Sequence, residues 1–128
     1  MTKKREPKIR VVIADDHSLF AQALQAILGT DGRFETAGLA KNGREAVDLA
    51  LEVQPNVVLM DISMPVLDGF QATRELRRKA PGTPVLMLTG SNAQSDIDKA
   101  RRAGAAGYVT KDRIASELIE AIVEAVKR

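Results

Sequence analysis

The sequence contains no cysteine and no tryptophan, and only 3% of its 128 residues are aromatic. Without cysteine the chain has no disulfides, no thiolate metal site and no cysteine nucleophile, which fits a reducing cytosol. The shortage of aromatic residues means that the core must be aliphatic, built from Val, Leu, Ile, Ala and Met. Hydrophobic residues make up 45% of the chain. One domain of this length therefore buries a substantial core.

Long apolar runs are also missing. No stretch approaches the roughly 18 residues that a membrane span requires. No apolar stretch of signal-peptide length follows the basic residues at the N-terminus, so we expect a cytoplasmic location and no membrane contact. The net charge is only +2, and much of the basic excess lies in residues 1–8, which we interpret as a flexible tail. The sequence lacks interleaved aromatics and a helix-turn-helix pattern, so we expect no direct contact with nucleic acid.

From residue 9 onward, short apolar segments alternate with amphipathic ones. The predicted strands are 9–14, 33–40, 56–60, 84–89 and 106–110, and the predicted helices are 18–28, 44–53, 69–79, 94–103 and 114–127. Strict alternation of helices with continuously apolar strands predicts an α/β domain, a parallel sheet with helices on both faces.

The helix ends and the inward faces of the helices are also predictable. Ser18 is the expected N-cap of the first helix, Gly29 its stop, and Asp68 the expected N-cap of the third helix. The predicted inward positions are 19, 20, 23, 24, 27 and 28 in the first helix, and 46, 47, 50 and 51 in the second.

Polar side chains follow four of the predicted strands. Asp15 and Asp16 follow the first strand, Asp61 the third, Thr89 the fourth and Lys111 the fifth. Ligands of such sheets bind outside the carboxyl ends of the strands, so we expect these side chains to converge. Taken singly, each has an ordinary explanation as a helix cap, a turn residue, a strand end or a surface lysine. Only the joint pattern predicts a site.

The chemistry of this set indicates phosphoryl transfer. Three carboxylates in one pocket repel each other unless a cation joins them, and hard oxygen ligands suit Mg²⁺. A carboxylate can attack phosphorus to give an aspartyl phosphate, whose oxygens the metal, the lysine and the threonine would stabilise. His17 follows the acidic pair, but the chain has no second histidine and no cysteine, so we do not expect it to bind a metal.

Four motifs carry a family resemblance. They are Ile13-Ala14-Asp15-Asp16-His17, Asp61-Ile62-Ser63-Met64-Pro65 with Asp68-Gly69, Leu88-Thr89-Gly90, and Gly107-Tyr108-Val109-Thr110-Lys111. Together they resemble the receiver domain of two-component response regulators over residues 9–128, and the first and last motifs resemble the LuxR-type (NarL/FixJ-like) regulators. The resemblance implies a flavodoxin-like (βα)5 fold with strand order 2-1-3-4-5.

The resemblance also implies roles at the strand ends. Asp61 would be the phosphoacceptor, and Asp15, Asp16, Asp61 and the backbone carbonyl of Ser63 would hold Mg²⁺. Lys111 would pair with the phosphoryl group.

Further roles follow for a conformational switch. Thr89 and Tyr108 match the switch pair of the family, in which the threonine moves toward the phosphoryl group and the ring turns inward. Ser63 and Ser91 lie where they would adjust the lifetime of the phosphorylated state.

On this resemblance we expect a sensor histidine kinase, or a small acyl-phosphate donor, to phosphorylate the domain. Phosphorylation would control homodimerisation through the first or fifth helix, or an output domain. Apart from self-phosphorylation and autodephosphorylation we expect no enzyme activity. LuxR-type regulators usually continue into a DNA-binding domain, for which these residues leave no room. The chain is thus a stand-alone receiver or a piece of a transcription regulator, and the motifs favour the second.

One departure from the family concerns the residue after the lysine. Many receivers have a proline there, joined through a cis bond, whereas this chain has Asp112. A cis bond before a non-proline residue costs roughly 3 kcal/mol, so the geometry of the Lys111–Asp112 bond stays open.

Three alternatives remain. A phosphatase acting through an aspartyl phosphate would often carry Asp-x-Asp, but Ser63 occupies the second position. A flavodoxin-like cofactor binder would require phosphate-binding loops and stacking aromatics, and the chain has one tyrosine and no tryptophan. A module that only docks or dimerises would use the polar faces of the fourth and fifth helices, which are more often simply solvated.

Overall fold

The computed structural model describes residues 7–127, so residues 1–6 of the predicted tail and residue 128 lie outside the described residues. The elements are β1 (Ile9–Ala14), α1 (Ser18–Gly29), β2 (Phe34–Ala40), α2 (Gly43–Val53), β3 (Val57–Asp61), α3 (Gly69–Lys79), β4 (Val85–Thr89), α4 (Gln94–Ala103), β5 (Gly107–Thr110) and α5 (Ile114–Lys127). A short 3₁₀ turn, Lys111–Arg113, joins β5 to α5. Every predicted strand and helix is present, and each bound agrees with the prediction to within one residue.

The five strands are parallel and lie in the order β2-β1-β3-β4-β5, as predicted. Successive side chains of a strand point to opposite faces, so the sheet separates two aliphatic cores. In β1 and β3, odd-numbered residues such as Val11 and Leu59 pack with α1 and α5, whereas even-numbered ones such as Val12 and Met60 pack with α2, α3 and α4. All five residues of the central strand β3 are buried, which fixes the position of its last residue, Asp61.

The inward face of α1 was predicted wrongly in part. Leu19 is 80% exposed, whereas Leu24 and Leu28 are buried. Successive residues of a helix are rotated by about 100°, which places Leu19 roughly 140° from Leu24 and outside the arc that the sheet covers. Leu51 of α2, also predicted to be inward, is 37% exposed.

The helix ends agree with two of three predictions. α1 ends at Gly29 as expected, but its N-cap is His17, and Ser18 is the first helical residue. Asp68 caps α3 as predicted, and Gln71 completes a capping box with it. In this box the Asp68 carboxylate accepts from the backbone N–H of Gln71 at 2.9 Å, and the Gln71 side chain accepts from the Asp68 N–H at 3.1 Å.

Two further findings concern the backbone and the surface. Between residues 7 and 127 no peptide bond is cis, so the bond from Lys111 to Asp112 is trans. None of the helices in this part of the chain combines the length and the apolar character that crossing a membrane requires.

Candidate functional site

Buried polar side chains collect at the carboxyl edge of the sheet. Asp61 ends β3, Thr89 ends β4, and Asp15 follows β1 directly. Each of the three is at least 96% buried, although carboxylates are rarely buried without a partner. Asp16 and Lys111, at the same edge, are partly exposed. The structure thus brings Asp15, Asp16, Asp61 and Lys111 together, and Thr89 ends the strand that neighbours β3.

Lys111 connects the acidic residues. Its Nζ lies 3.1 Å from Oδ1 of Asp61 and 3.8 Å from Oδ2 of Asp15. The same nitrogen lies 4.5 Å from the centroid of the Phe20 ring, within the range of a cation–π interaction. Its place in the apolar face of α1 is the only feature of Phe20 that was predictable from the sequence. The Phe20 ring, on α1, thus packs against the Lys111 ammonium that pairs with the carboxylates.

One Lys111 ammonium leaves this pocket short of positive charge. Oδ2 of Asp15 and Oδ2 of Asp61 are buried and have no hydrogen-bond partner among the described residues. Burial raises the pKa of the Asp61 carboxyl, Lys111 opposes this shift, and the negative charge of Asp15 adds to it. Unpaired buried carboxylate oxygens are energetically costly, so the pocket favours an additional cation.

A group of potential ligand atoms is in place for such a cation. Asp15, Asp16, His17 and Asp61 each offer one ligand atom, and these atoms lie within 4.8 Å of one another. Nδ1 of His17 is 3.2 Å from Oδ1 of Asp15 and 3.1 Å from Oδ1 of Asp16. The backbone N–H of His17 also donates to the Asp15 carboxylate at 2.8 Å. His17 follows the acidic pair directly in the sequence, and the structure places its ring beside both carboxylates.

The loop from β3 to α3 is packed tightly against the end of β3. The Gly69 N–H donates to the carbonyl of Ile62 at 2.9 Å. A Cβ on Gly69 would overlap the carbonyl oxygen of Asp61 and come within 2.9 Å of Cα of Ile62. Gly69 therefore permits the close approach of α3 that fixes the Asp61 backbone. Ser63 lies exposed in this loop.

A second close contact and a strained residue shape the rest of this loop. A Cβ on Gly43, at the start of α2, would overlap the carbonyl oxygen of Leu67. The Leu67 N–H donates to the carbonyl of Pro65 at 2.7 Å, a γ-turn centred on Val66. Val66 has φ 70°, a conformation that is costly for a β-branched residue. The tertiary contacts, and not local preference, hold this loop in place.

Thr89 and Tyr108 do not face each other across the pocket. The Thr89 hydroxyl donates to the Ser91 carbonyl at 2.9 Å and accepts from the Ser91 N–H at 3.0 Å. The Ser91 hydroxyl accepts from the N–H of Ala93 at 3.0 Å. The side chain of Tyr108 points outward, and the residue is 41% exposed. A groove of about 370 Å³ between α4 and β5 lies beside it, lined in part by Ile97.

The family model of the response regulator receiver domain matches residues 11–123. This chain belongs to that family. The four motifs of the receiver domain therefore stand where its geometry requires them, at the ends of β1, β3, β4 and β5. Receiver domains are the part of two-component response regulators that receives the signal, and they carry an acidic pocket of the kind seen here.

Relatives of the receiver domain belong to more than one kind of protein. The transcriptional regulatory protein DegU of Brevibacillus brevis is 39% identical over 117 residues, which are 91% of this chain and 50% of DegU. A protein-glutamate methylesterase/protein-glutamine glutaminase of Photobacterium profundum is 42% identical over 125 residues, 94% of this chain and 31% of that protein. This chain thus spans half or less of the length of both relatives.

The fold is confirmed by solved structures. The signal receiver domain of the response regulator NarL from Mycobacterium tuberculosis matches with a TM-score of 0.91 and 32% identity, over 95% of this chain and 98% of that one. A LuxR-family DNA-binding response regulator from Staphylococcus aureus matches with a TM-score of 0.86 and 31% identity, over 92% and 98% of the two chains. The expected resemblance to LuxR-type receivers is confirmed.

Proposed function

We propose that this receiver domain accepts a phosphoryl group on Asp61. The observation that carries the proposal is the buried Oδ2 of Asp61, which has no hydrogen-bond partner among the described residues, next to a Lys111 that already pairs with Oδ1. A carboxylate with one oxygen held and the other free is oriented to act as a nucleophile. The free oxygen forms a bond to phosphorus while the bond from phosphorus to the donor breaks.

The metal that the family uses fits the residues present. Asp15, Asp16, Asp61 and the backbone carbonyl of Ser63 would hold Mg²⁺, which prefers oxygen ligands. The unpartnered Oδ2 of Asp15 supports this assignment. When bound, Mg²⁺ offsets the negative charge of the carboxylates and of the phosphoryl oxygens.

Lys111 and Thr89 would respond to the new charge. An aspartyl phosphate has roughly the charge of other phosphorylated side chains, about −1.5 to −2 at neutral pH. Lys111 is already within 3.1 Å of Asp61 and pairs with a phosphoryl oxygen without leaving the site. Thr89 must give up its two hydrogen bonds with Ser91 before its hydroxyl reaches the phosphoryl group.

That movement couples the site to the surface of the domain. Moving Thr89 frees the loop that leads into α4, and the Tyr108 ring then turns inward from its exposed position beside that helix. The domain would thus have two states that phosphorylation shifts between. The partners we propose are a sensor histidine kinase as phosphodonor and a second copy of the chain, through α1 or α5.

The output of the whole protein is a separate proposal. The similarity to DegU and to LuxR-family regulators favours a transcription regulator in which residues 9–128 form the receiver and residues 1–8 a tail. The similarity to a methylesterase shows that receivers of this kind also serve enzymes. The activity of this chain itself would be limited to gaining and losing the phosphoryl group on Asp61.

Intact-mass spectrometry with acetyl phosphate and Mg²⁺ tests the assignment of Asp61. The wild type should gain the mass of one phosphoryl group, and Asp61→Asn should gain none. Asp68→Asn is the matched control, because Asp68 lies in the same loop but caps α3, and asparagine caps helices as well. It should gain one group like the wild type. No adduct on the wild type, or an adduct on Asp61→Asn, would contradict the proposal.

The lifetime of the adduct tests Ser63 and Ser91. Ser63 is exposed two residues after Asp61, and Ser91 binds the hydroxyl of Thr89. Both therefore border the path of a water molecule that attacks phosphorus. Ser63→Ala and Ser91→Ala should change the rate at which the phosphorylated protein loses its adduct after removal of acetyl phosphate. Rates equal to that of the wild type in both variants would rule out this role.

A further inference from the structure

His17 contributes a nitrogen atom to a pocket that otherwise offers only oxygen. Its Nδ1 lies 3.2 Å from Oδ1 of Asp15 and 3.1 Å from Oδ1 of Asp16, and His17 offers one ligand atom within 4.8 Å of ligand atoms of Asp15, Asp16 and Asp61. The backbone of His17 is fixed by its N–H bond to the Asp15 carboxylate at 2.8 Å. The side chain is 65% exposed, so the ring can adjust without opening a cavity.

An imidazole nitrogen changes which cation a site prefers. Mg²⁺ binds oxygen ligands, whereas imidazole is a good ligand for first-row transition metals such as cobalt, nickel and zinc. We propose that His17 is a ligand of the cation at this site and that it makes the site bind a transition-metal dication more tightly than Mg²⁺. Nδ1 would present its lone pair to the ion, and Nε2 would carry the proton. This inference rests on the proposed function only in sharing the acidic pocket.

Two observations separate this proposal from a chance contact of an exposed histidine. The first is the pair of buried Oδ2 atoms of Asp15 and Asp61 that have no hydrogen-bond partner in the described part of the chain, in a group of ligand atoms that includes one from His17. The second is that Nδ1 lies within hydrogen-bond distance of two carboxylates at once, 3.2 Å from Oδ1 of Asp15 and 3.1 Å from Oδ1 of Asp16. A ligand in a mixed set lies in this way around a common centre.

The composition of the chain makes the proposal easy to test. His17 is the only histidine, and there is no cysteine, so any imidazole or thiolate bound to a metal must be the imidazole of His17. The experiment is isothermal titration calorimetry of the untagged chain with CoCl₂ and, separately, with MgCl₂. The proteins are the wild type, His17→Gln and His17→Phe. The first variant keeps a polar side chain, and the second keeps a ring without nitrogen.

The wild type should bind Co²⁺ more tightly than Mg²⁺. Even a group that only supports a metal ligand typically contributes 10- to 100-fold to metal affinity, so both variants should weaken Co²⁺ binding by about tenfold or more. The affinity for Mg²⁺ should change by no more than about twofold, because Mg²⁺ uses the oxygen ligands that remain. The visible absorption of bound Co²⁺ should change as well.

Three results would overturn the proposal. Equal Co²⁺ affinities in the wild type and both variants would make His17 a bystander. Tighter binding of both ions in the variants would mean that the His17 side chain competes with the metal ion for the carboxylates. Equal weakening of both ions would mean that His17 only positions Asp15 and Asp16. Formation of the Asp61 adduct in the wild type with Mg²⁺ is measured separately, so failure of this inference and failure of the proposed function are distinguishable.

Discussion

At the scale of single residues, Asp61 sits where an ionised carboxylate destabilises the folded chain. Its pKa is raised, first by burial and then by the charge of Asp15, and Lys111 compensates only in part. A carboxyl whose pKa is raised on folding binds its proton more tightly in the folded state. Folding stability therefore falls as the pH rises past the pKa that this carboxyl has in the unfolded chain. The loss of stability is present at neutral pH.

Removing that charge should stabilise the protein. Asp61→Asn should increase the free energy of unfolding at pH 7, without divalent cations. Urea unfolding followed by circular dichroism measures this, since the chain has no tryptophan. Asp68→Asn, an exposed cap, serves as the control and should not stabilise the fold. A less stable Asp61→Asn variant would show that its bond to Lys111 outweighs burial and repulsion.

At the scale of elements, α2 and α3 are joined by a charged cluster. Both guanidinium NH groups of Arg44 donate to the Glu75 carboxylate, at 2.6 and 2.7 Å, and Nζ of Lys79 donates to it at 2.9 Å. The hydrogen bonds from Arg44, and then from Lys79, lower the pKa of Glu75 to about 2. Because the Glu75 side chain is 14% exposed, screening by solvent is incomplete there.

This cluster predicts a pH dependence. A lowered carboxyl pKa stabilises the folded state above the unfolded pKa, and this stabilisation is lost as the pH falls from about 4.5 toward about 2. Glu75→Gln should be less stable than the wild type by about 1 kcal/mol at pH 7. The difference should shrink as the pH falls through that window in urea-unfolding measurements. A difference that is the same at pH 7 and pH 3 would contradict the role of the charge.

The junction between β3 and α3 makes a second prediction for elements. Gly69→Ala places a methyl group against the Asp61 carbonyl, and overpacking of this kind costs about 1–3 kcal/mol. It should also slow phosphorylation by acetyl phosphate, because the Asp61 backbone must shift. Gly29→Ala is the control. No described atom lies within 4 Å of the added methyl group, so stability and rate should be unchanged or slightly improved. Normal stability of Gly69→Ala would mean that α3 moves freely relative to the strand.

At the scale of the whole molecule, the fold was predictable because the hydrophobic pattern determines it. Continuous apolar strands such as 57–60 and 85–88 separated by helices admit few arrangements, and every bound was predicted to within one residue. The convergence of Asp15, Asp61 and Lys111 followed from the parallel sheet alone. The strand order came from the family resemblance and not from the pattern.

The features that were not predictable from the sequence depend on contacts between distant elements. The exposure of Leu19 reflects which arc of α1 the sheet covers, and a helical stripe wider than that arc does not reveal it. The hydrogen bonds of Thr89 to Ser91 and the contact of Phe20 with Lys111 depend on side-chain conformations that no sequence pattern specifies. The contact of His17 with two carboxylates also depends on side-chain geometry, and a single histidine in a sequence does not predict it.

Metal binding should stabilise the molecule as a whole. A ligand that binds only the folded state stabilises it by about 2.7 kcal/mol at one hundred times its dissociation constant. Thermal unfolding should therefore shift upward with added MgCl₂ and return to its starting point with a chelator. Asp16→Asn should reduce the shift, and Asp68→Asn should leave it unchanged. An equal shift in Asp16→Asn would place the Mg²⁺ ion elsewhere.

The two hydrogen bonds between Thr89 and Ser91 also bear on background signalling. If Thr89 acts as proposed, a chain without a phosphoryl group reaches the active state only by breaking both bonds. Each contributes about 1 kcal/mol net, so together they reduce spontaneous activation by roughly thirtyfold. A receiver domain held in this way would rarely adopt its active state without a phosphoryl group.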